Sequence, residues 1–415
     1  MRTPSRPGWL AAPIVGAGLL GVASGSAQFG VTAVLGEVAI AFGEATSAEV
    51  AGSVGMSAGT LGVGLAVIRL AGAGSLVGSS IADRVGRRPV LLTATAIGLV
   101  LTLVAAAAPS FWTFVVLIAL SRPLLSTVNA VTAVVAAEEA NARDRTAAIA
   151  FIAASYALGS GLVSVARGAF EGLSFRVLLA VVGAGVVLLP LVARIVREPP
   201  VAVRAADAPR ARLGTVPRPF VRDLVLLCLL AAATNLVTGP AFTWLFVYGE
   251  NVLGESPGRM ALLVLAAGPV GFAGLLAGRA MADHVGRRGA ALAGTVVLAG
   301  AATWAYGASS TALAVGYLAA ILGSAAAGPA AATLLNEVMP TEARATANGW
   351  AAAAGVAGAV TGLLLFGQLV DAGAFATASR WLFLPLVPVA LLYLALPETA
   401  GTELEEAHPP GRADR

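Results

Sequence analysis

Residues 78–88 read Gly-Ser-Ser-Ile-Ala-Asp-Arg-Val-Gly-Arg-Arg, and residues 278–288 read Gly-Arg-Ala-Met-Ala-Asp-His-Val-Gly-Arg-Arg. Seven of the eleven positions are identical, and the copies stand 200 residues apart in a chain of 415. Each copy follows one long apolar run and precedes another. A second pair repeats at nearly the same distance: Glu138 with Arg145, and Glu337 with Arg344, both Glu-x6-Arg and offset by 199. Two independent marks at matching offsets identify the chain as a duplicated half.

Hydrophobic residues make up 58% of the chain and charged residues 12%, against about 25% charged in soluble domains. A mean hydropathy of +0.86 over this length means that the solvent is lipid. With 49 glycines, helices can approach closely where no hydrophobic drive acts between them. The single cysteine, Cys228, excludes an internal disulfide and a cysteine metal site. The two histidines, His284 and His408, fall in a loop and in the C-terminal tail, so no metal site is expected, and no cofactor. The pI is 9.8, yet all 26 basic residues are arginines and most lie in alternate loops. Such a pattern speaks for membrane topology and against a nucleic-acid partner.

Twelve apolar runs of membrane-crossing length lie near 10–36, 53–79, 89–108, 112–136, 146–168 and 175–195, then 223–248, 259–281, 289–308, 311–336, 345–370 and 380–397. The first is too long for a secretory h-region and ends in no A-x-A site, so it reads as a helix. Arginines collect in the even-numbered gaps; Glu44, Glu49, Glu171, Glu250, Glu255 and Asp371 occupy the odd ones. By the positive-inside rule both termini and the arginine loops are cytoplasmic, in a multi-pass protein expected at the plasma membrane. The expected fold is all-α, twelve transmembrane helices in two pseudo-symmetric six-helix bundles, residues 1–196 and 223–398. Residues 197–222, rich in proline and arginine, read as a cytoplasmic linker, and 399–415 as a cytoplasmic tail.

Two sets of residues carry chemistry. Asp83 ends helix two, where the helix dipole disfavours an anion, so it needs a positive partner such as Arg84, Arg87 or Arg88. Asp283 stands in the same relation to Arg287 and Arg288. Gly86 and Gly286 fit turns that require positive φ. Inside the membrane, Arg69 lies 14 residues before Asp83, about 21 Å along a helix, and Arg122 sits ten residues into helix four. A buried arginine costs roughly 3 kcal/mol on insertion scales, and no Asp or Glu lies deep in any run; Glu37, toward the outer end of helix one, is nearest. Two arginines without a resident counter-ion suit a carboxylate or phosphate on a substrate; the alternative is bonding to backbone carbonyls and water. Gln28, Asn129, Tyr156, Asn235 and Thr238 are the other mid-depth polar candidates. Trp244 and Tyr248 fit an interfacial belt equally well.

Asp-Arg-x-Gly-Arg-Arg between the second and third helices resembles the loop signature of the major facilitator superfamily. Asn-Glu-Val-Met-Pro-Thr-Glu-Ala-Arg (336–344) is similar to that superfamily's mark after helix ten, and Leu-Pro-Glu-Thr-Ala-Gly-Thr-Glu-Leu-Glu-Glu (396–406) to the end of its sugar-porter and metabolite-porter branches. The resemblance implies a secondary transporter whose two bundles rock around a midplane site lined by helices one, four, seven and ten. It also implies that Asp83, Arg84, Gly86, Arg87, Arg88, Asp283, Gly286, Arg287 and Arg288 form a cytoplasmic latch, with Glu138, Arg145, Glu337 and Arg344 in the same charge network. Arg122 resembles the helix-four arginine of many proton-coupled members. One departure is Arg279, where the counterpart position holds Ser79.

The antiporter signature Gly-Pro-x-x-Gly-Gly is replaced by Ala-Leu-Gly-Ser-Gly-Leu (157–162), and a sugar porter's glutamine-rich helix seven by Ala-Thr-Asn-Leu-Val-Thr-Gly-Pro (233–240). The leading expectation is therefore uptake of a small polar or anionic metabolite with H+ by a monomer in the bilayer. Drug or metabolite efflux is the alternative, and a non-transporting membrane receptor is a third. No nucleotide loop, nucleophile–base pair or metal cluster appears, so an enzyme is not expected.

Overall fold

The computed structural model describes residues 11–43, 55–140, 145–170, 174–197 and 216–398; within these, the side chains of Asp83, Ala137, Arg145, Thr146, Thr341, Glu342 and Ala345 are not described. The tail at 399–415 and most of the expected linker lie outside these residues.

The first half of the chain forms α1 (Ala12–Ala33), α2 (Leu35–Phe42), α3 (Ala58–Ala71), α4 (Ser75–Val85), α5 (Arg87–Ala106), α6 (Phe111–Glu139), α7 (Arg145–Ala169), α8 (Phe175–Ala184) and α9 (Leu189–Val192). The second half forms α10 (Arg218–Thr243), α11 (Pro257–Val285), α12 (Arg287–Ala305), α13 (Ser310–Val338), α14 (Thr341–Ala372), α15 (Phe375–Phe383) and α16 (Leu386–Ala390). No strand occurs among the described residues. Among the described residues, eleven stretches are long and apolar enough to cross a membrane. The twelfth expected span is α12, whose first turn holds Arg287 and Arg288 and so lowers its hydropathy. Helix α10 starts at Arg218, inside the stretch expected as linker.

Contacts divide the chain into two units, Met1–Glu44 with Val67–Pro209 and Ser256–Leu262, and Ala45–Ala66 with Arg210–Glu255 and Leu263–Arg415. In the first unit α1 packs on α7, and α5 on α6 and α8; in the second α10 packs on α14, and α12 on α13 and the α15–α16 segment. The second unit thus repeats the pairing of the first. Glycine makes the tightest of these pairings possible. A Cβ on Gly25 would strike Tyr156 O and one on Gly159 would strike Val22 O; Gly358 and Gly362 stand in the same relation to Ala232 O and Leu236 O. Helix pairs meet there backbone to backbone, the contact that dispersion and small residues favour in lipid.

Gly86 and Gly286 have φ of 111° and 93°, the positive values expected of them, and each separates two helices by a single residue. Trp244 and Tyr248, which an interfacial belt would explain equally well from the sequence, are buried, 0% and 2% exposed. They stack with Tyr306, Phe366 and Phe375 at centroid distances of 4.9–5.9 Å, and the Tyr248 hydroxyl accepts from Ala308 N.

Candidate functional site

In the first unit, Arg69 is exposed near the end of α3 and Arg122 is half-buried on α6. The 3-10 turn Gly72–Gly74 follows α3, and a Cβ on Gly72 would lie 3.6 Å from Arg122 Cγ. The bare backbone lets the Arg122 stem lie along the turn, which brings the two guanidinium groups into one neighbourhood. Tyr156 interacts electrostatically with both, and they repel each other. Neither arginine makes a hydrogen bond or ion pair with a described residue. They are not sealed by backbone carbonyls.

The remaining expected residues of this unit line two separate openings. Gln28 is buried and donates to Ser24 Oγ at 2.9 Å, which donates in turn to Leu125 O; Gln28 and Arg122 line one gap of about 10 Å³. Asn129 and Tyr156 line a cavity of about 350 Å³ together with Thr132 and Gly21. Asn129 Oδ1 is buried without a hydrogen-bond partner. A cavity of about 510 Å³ beside α1, α7 and α8 is walled mainly by leucine and valine, with no charged side chain; it suits an acyl chain better than a polar solute.

The second unit offers a neutral site. Thr234, Asn235, Thr295, Ser324 and Tyr393 line a cavity of about 250 Å³ with no charged residue in its wall. Asn235 Nδ2 donates to Ala231 O at 2.9 Å; Thr234 Oγ1 finds no well-formed hydrogen bond. Thr238 is half-buried one turn further along α10.

The repeated arginine loops form matched networks. Arg87 Nη2 pairs with Glu138 Oε1 at 2.7 Å, with both side chains largely buried, and Arg287 Nε stands 3.5 Å from Glu337 Oε2. Arg88 donates to Val196 O and Ala193 O at the end of the α9 segment; Arg288 does the same to Leu394 O and Leu396 O. Glu398 adds a cap, accepting from Arg287 N at 2.9 Å and from Arg288 N and Nε at 3.3 Å. A Cβ on Gly286 would collide with that carboxylate. Glu337 does not pair with Arg344, which reaches Met339 O at 3.4 Å. Asp283 and Arg84 are exposed, and Asp283 makes no ion pair with a described residue. The side chains of Asp83 and Arg145 lie outside the described residues.

The model of the Major Facilitator Superfamily matches residues 17–288, which include the first arginine loop and all of the second. The chain belongs to the major facilitator superfamily. A model described as Sugar (and other) transporter also matches this facilitator at residues 211–409. No curated protein matches it. Among solved structures, the inward-open xylose transporter XylE from E. coli superposes with a TM-score of 0.72 at 17% identity, over 95% of this chain and 98% of that one. A D-xylose-proton symporter gives 0.71 at 18% identity, over 94% and 99%. A bacterial homologue of the human lysosomal transporter Spinster gives 0.67 at 17%, over 94% and 96%. The facilitator is thus a multi-pass membrane protein with the fold of a secondary transporter, not an enzyme.

One charged contact of this facilitator is not apparent from its sequence. Arg167, 5% exposed, donates from Nε and Nη2 to Glu37 Oε1 at 3.2 and 2.8 Å, while Glu37 Oε2 accepts from Phe175 N at 2.7 Å. The signal was present as an arginine near the end of an apolar run, but its partner is 130 residues away.

Proposed function

We propose that this facilitator takes up a small anionic metabolite by alternating access, with the substrate's carboxylate or phosphate held by Arg69 and Arg122. The observation that carries this reading is the pair of guanidinium groups near Tyr156 with no carboxylate or carbonyl of a described residue bonded to either. A guanidinium presents a rigid fork of donors that matches an oxyanion, and an anion between two like charges also relieves their repulsion. Asn129, beside Tyr156, supplies an amide oxygen free to accept from a hydroxyl on the same solute.

The Pro-Glu-Thr ending and the lack of an antiporter signature favour uptake over efflux, with H+ as coupling ion and both termini cytoplasmic. A second reading has one supporting observation. The uncharged cavity of Thr234, Asn235, Ser324 and Tyr393 suits a neutral hydroxylated solute, in line with the match of residues 211–409 to sugar and other transporters. Proteoliposomes decide between them. Labelled mono- and dicarboxylates, sugar phosphates, neutral sugars and a cationic drug are offered under an imposed pH gradient. Uptake of an anion that Arg122→Met abolishes supports the proposal; uptake of a neutral sugar that the same variant leaves intact refutes it.

A further inference from the structure

The cavity of about 510 Å³ in the first unit is a long slot with an open side. Its floor is buried, with Leu20, Leu99 and Thr95 0–1% exposed. Its rim is not: Leu19, Leu162, Val181, Leu188 and Leu191 are 43–66% exposed. The wall runs from Leu178 on α8 to Val192 on α9, 14 positions further on. At helical rise that is about 21 Å, more than the ~15 Å of hydrocarbon in one leaflet. Among the described residues of the wall only Ser26 and Thr95 are polar, and they give their hydroxyl hydrogens to Gly159 O and Leu91 O. A buried water needs two to four polar partners, so a slot walled in this way stays dry.

The backbone of this span makes the room. Helix α8 gives way to the 3-10 turn Gly185–Leu188, and α9 follows with a proline in its first turn. A Cβ on Gly185 would meet nothing within 4 Å, so the wall lacks a side chain where one would fit. Two hundred residues on, the second unit has Phe383 and Pro385 in the places of Gly183 and Gly185. Phe383 is fully buried there and stacks on Phe366 at 5.3 Å; the duplicated halves differ at this place. At the α9 end the apolar wall meets charge. Arg88 is held by Val196 O and Ala193 O, while Arg194, two residues past Val192, and Arg197 stand exposed.

We propose that the slot binds one acyl chain of an anionic glycerophospholipid of the bilayer, with the lipid's phosphate on Arg194. An empty slot forfeits the dispersion contacts of its walls. A lipid tail supplies them with no water to displace, since tails are as apolar as the leucines they touch. The tail fills the slot and the headgroup selects the lipid, because a guanidinium is shaped for a phosphate. The slot shares no wall residue with the openings at Arg122 and Tyr156, so the site stands whichever solute is carried. The test uses the full chain in phosphatidylcholine vesicles holding a trace of phosphatidylglycerol with a diazirine on its acyl chain. After photolysis, adducts are mapped by peptide mass spectrometry and are expected on residues 19–26, 162–166 and 178–192. Gly185→Leu, which the right-handed backbone at that residue accepts, should reduce these adducts to background without lowering the melting temperature; Ala166→Leu is the second filling variant should the first misfold. Arg194→Gln should lower the yield about fivefold, the effect of one basic residue at an anionic surface. Adducts spread evenly over the exposed faces of other helices overturn the proposal, as do slot adducts unchanged in both filling variants. Equal yield from a diazirine phosphatidylcholine or a diazirine fatty acid overturns it too, the latter by making a free amphiphile the occupant.

Discussion

Replacing Arg122 by Met should stabilise the protein and disable it. The expectation follows from what surrounds the guanidinium. Arg122 is half-buried, has no described hydrogen-bond partner, and is repelled by Arg69. An arginine deep in a membrane costs roughly 3 kcal/mol on insertion scales, and its partial exposure returns part of that through hydration. A net relief of about 1 kcal/mol is therefore expected, since Met keeps a long flexible stem against Gly72 and leaves little void. For a unit of this size that corresponds to roughly 2–4 °C in melting temperature. The same change removes a charge-assisted contact to the substrate, worth about 1.5–3 kcal/mol, so affinity should fall by about 10–150-fold. Arg122→Lys should recover the charge and not the affinity, because a point charge cannot make a bidentate contact. Thermal unfolding in detergent and equilibrium binding of the transported anion are the two assays. If Arg122→Met melts lower than the parent and binds normally, the arginine is a structural element and the argument fails.

Glu398→Gln should lower the melting temperature by loosening the first turn of α12, at a cost of about 1–2 kcal/mol; Glu398→Asp should recover part of it, which thermal unfolding of the three proteins would show. A double-mutant cycle on Arg87→Ala and Glu138→Gln should give a coupling of about 1–3 kcal/mol, since the pair is 9% and 17% exposed; additive effects would mean that the pair is incidental. Glu139, in the last turn of α6, has its carboxyl raised above the usual range by burial and by neighbouring Glu138, with Arg197 opposing. The folded state then binds the proton more tightly than the unfolded state, so this group costs stability as pH rises through its folded pKa. Glu139→Gln should accordingly raise the melting temperature at pH 8 and lose that advantage near pH 4.

The spans and the duplication were legible because they are written in local signals: hydropathy over about 20 residues, and an eleven-residue stretch used twice. Arg69 and Arg122 stood out for the same reason, as charges in apolar runs. Partner choice was not legible, because it depends on which helices lie side by side. Glu138 pairs with Arg87, 51 residues away, because its side chain at the end of α6 faces the start of α5. Asp371 reads in sequence as one more acid of an outer loop, and only the packing of α14 on α3 gives it three donors. Trp244 and Tyr248 have the composition of an interfacial belt, but Tyr306 just past α12, Phe366 of α14 and Phe375 of α15 cover them.

The cap on α12 also sets an order of events during synthesis. Its first turn, with two arginines, leaves the ribosome 111 residues before Glu398, counted from Arg287. At about 5–20 residues per second, those amides and charges wait roughly 5–20 s for the carboxylate that satisfies them. Through that interval the translocon, not the native contact, has to keep the arginines at the membrane surface. A stalled nascent chain ending before Glu398 should therefore show Arg287 and Arg288 open to protease, and one ending well beyond it should show them closed.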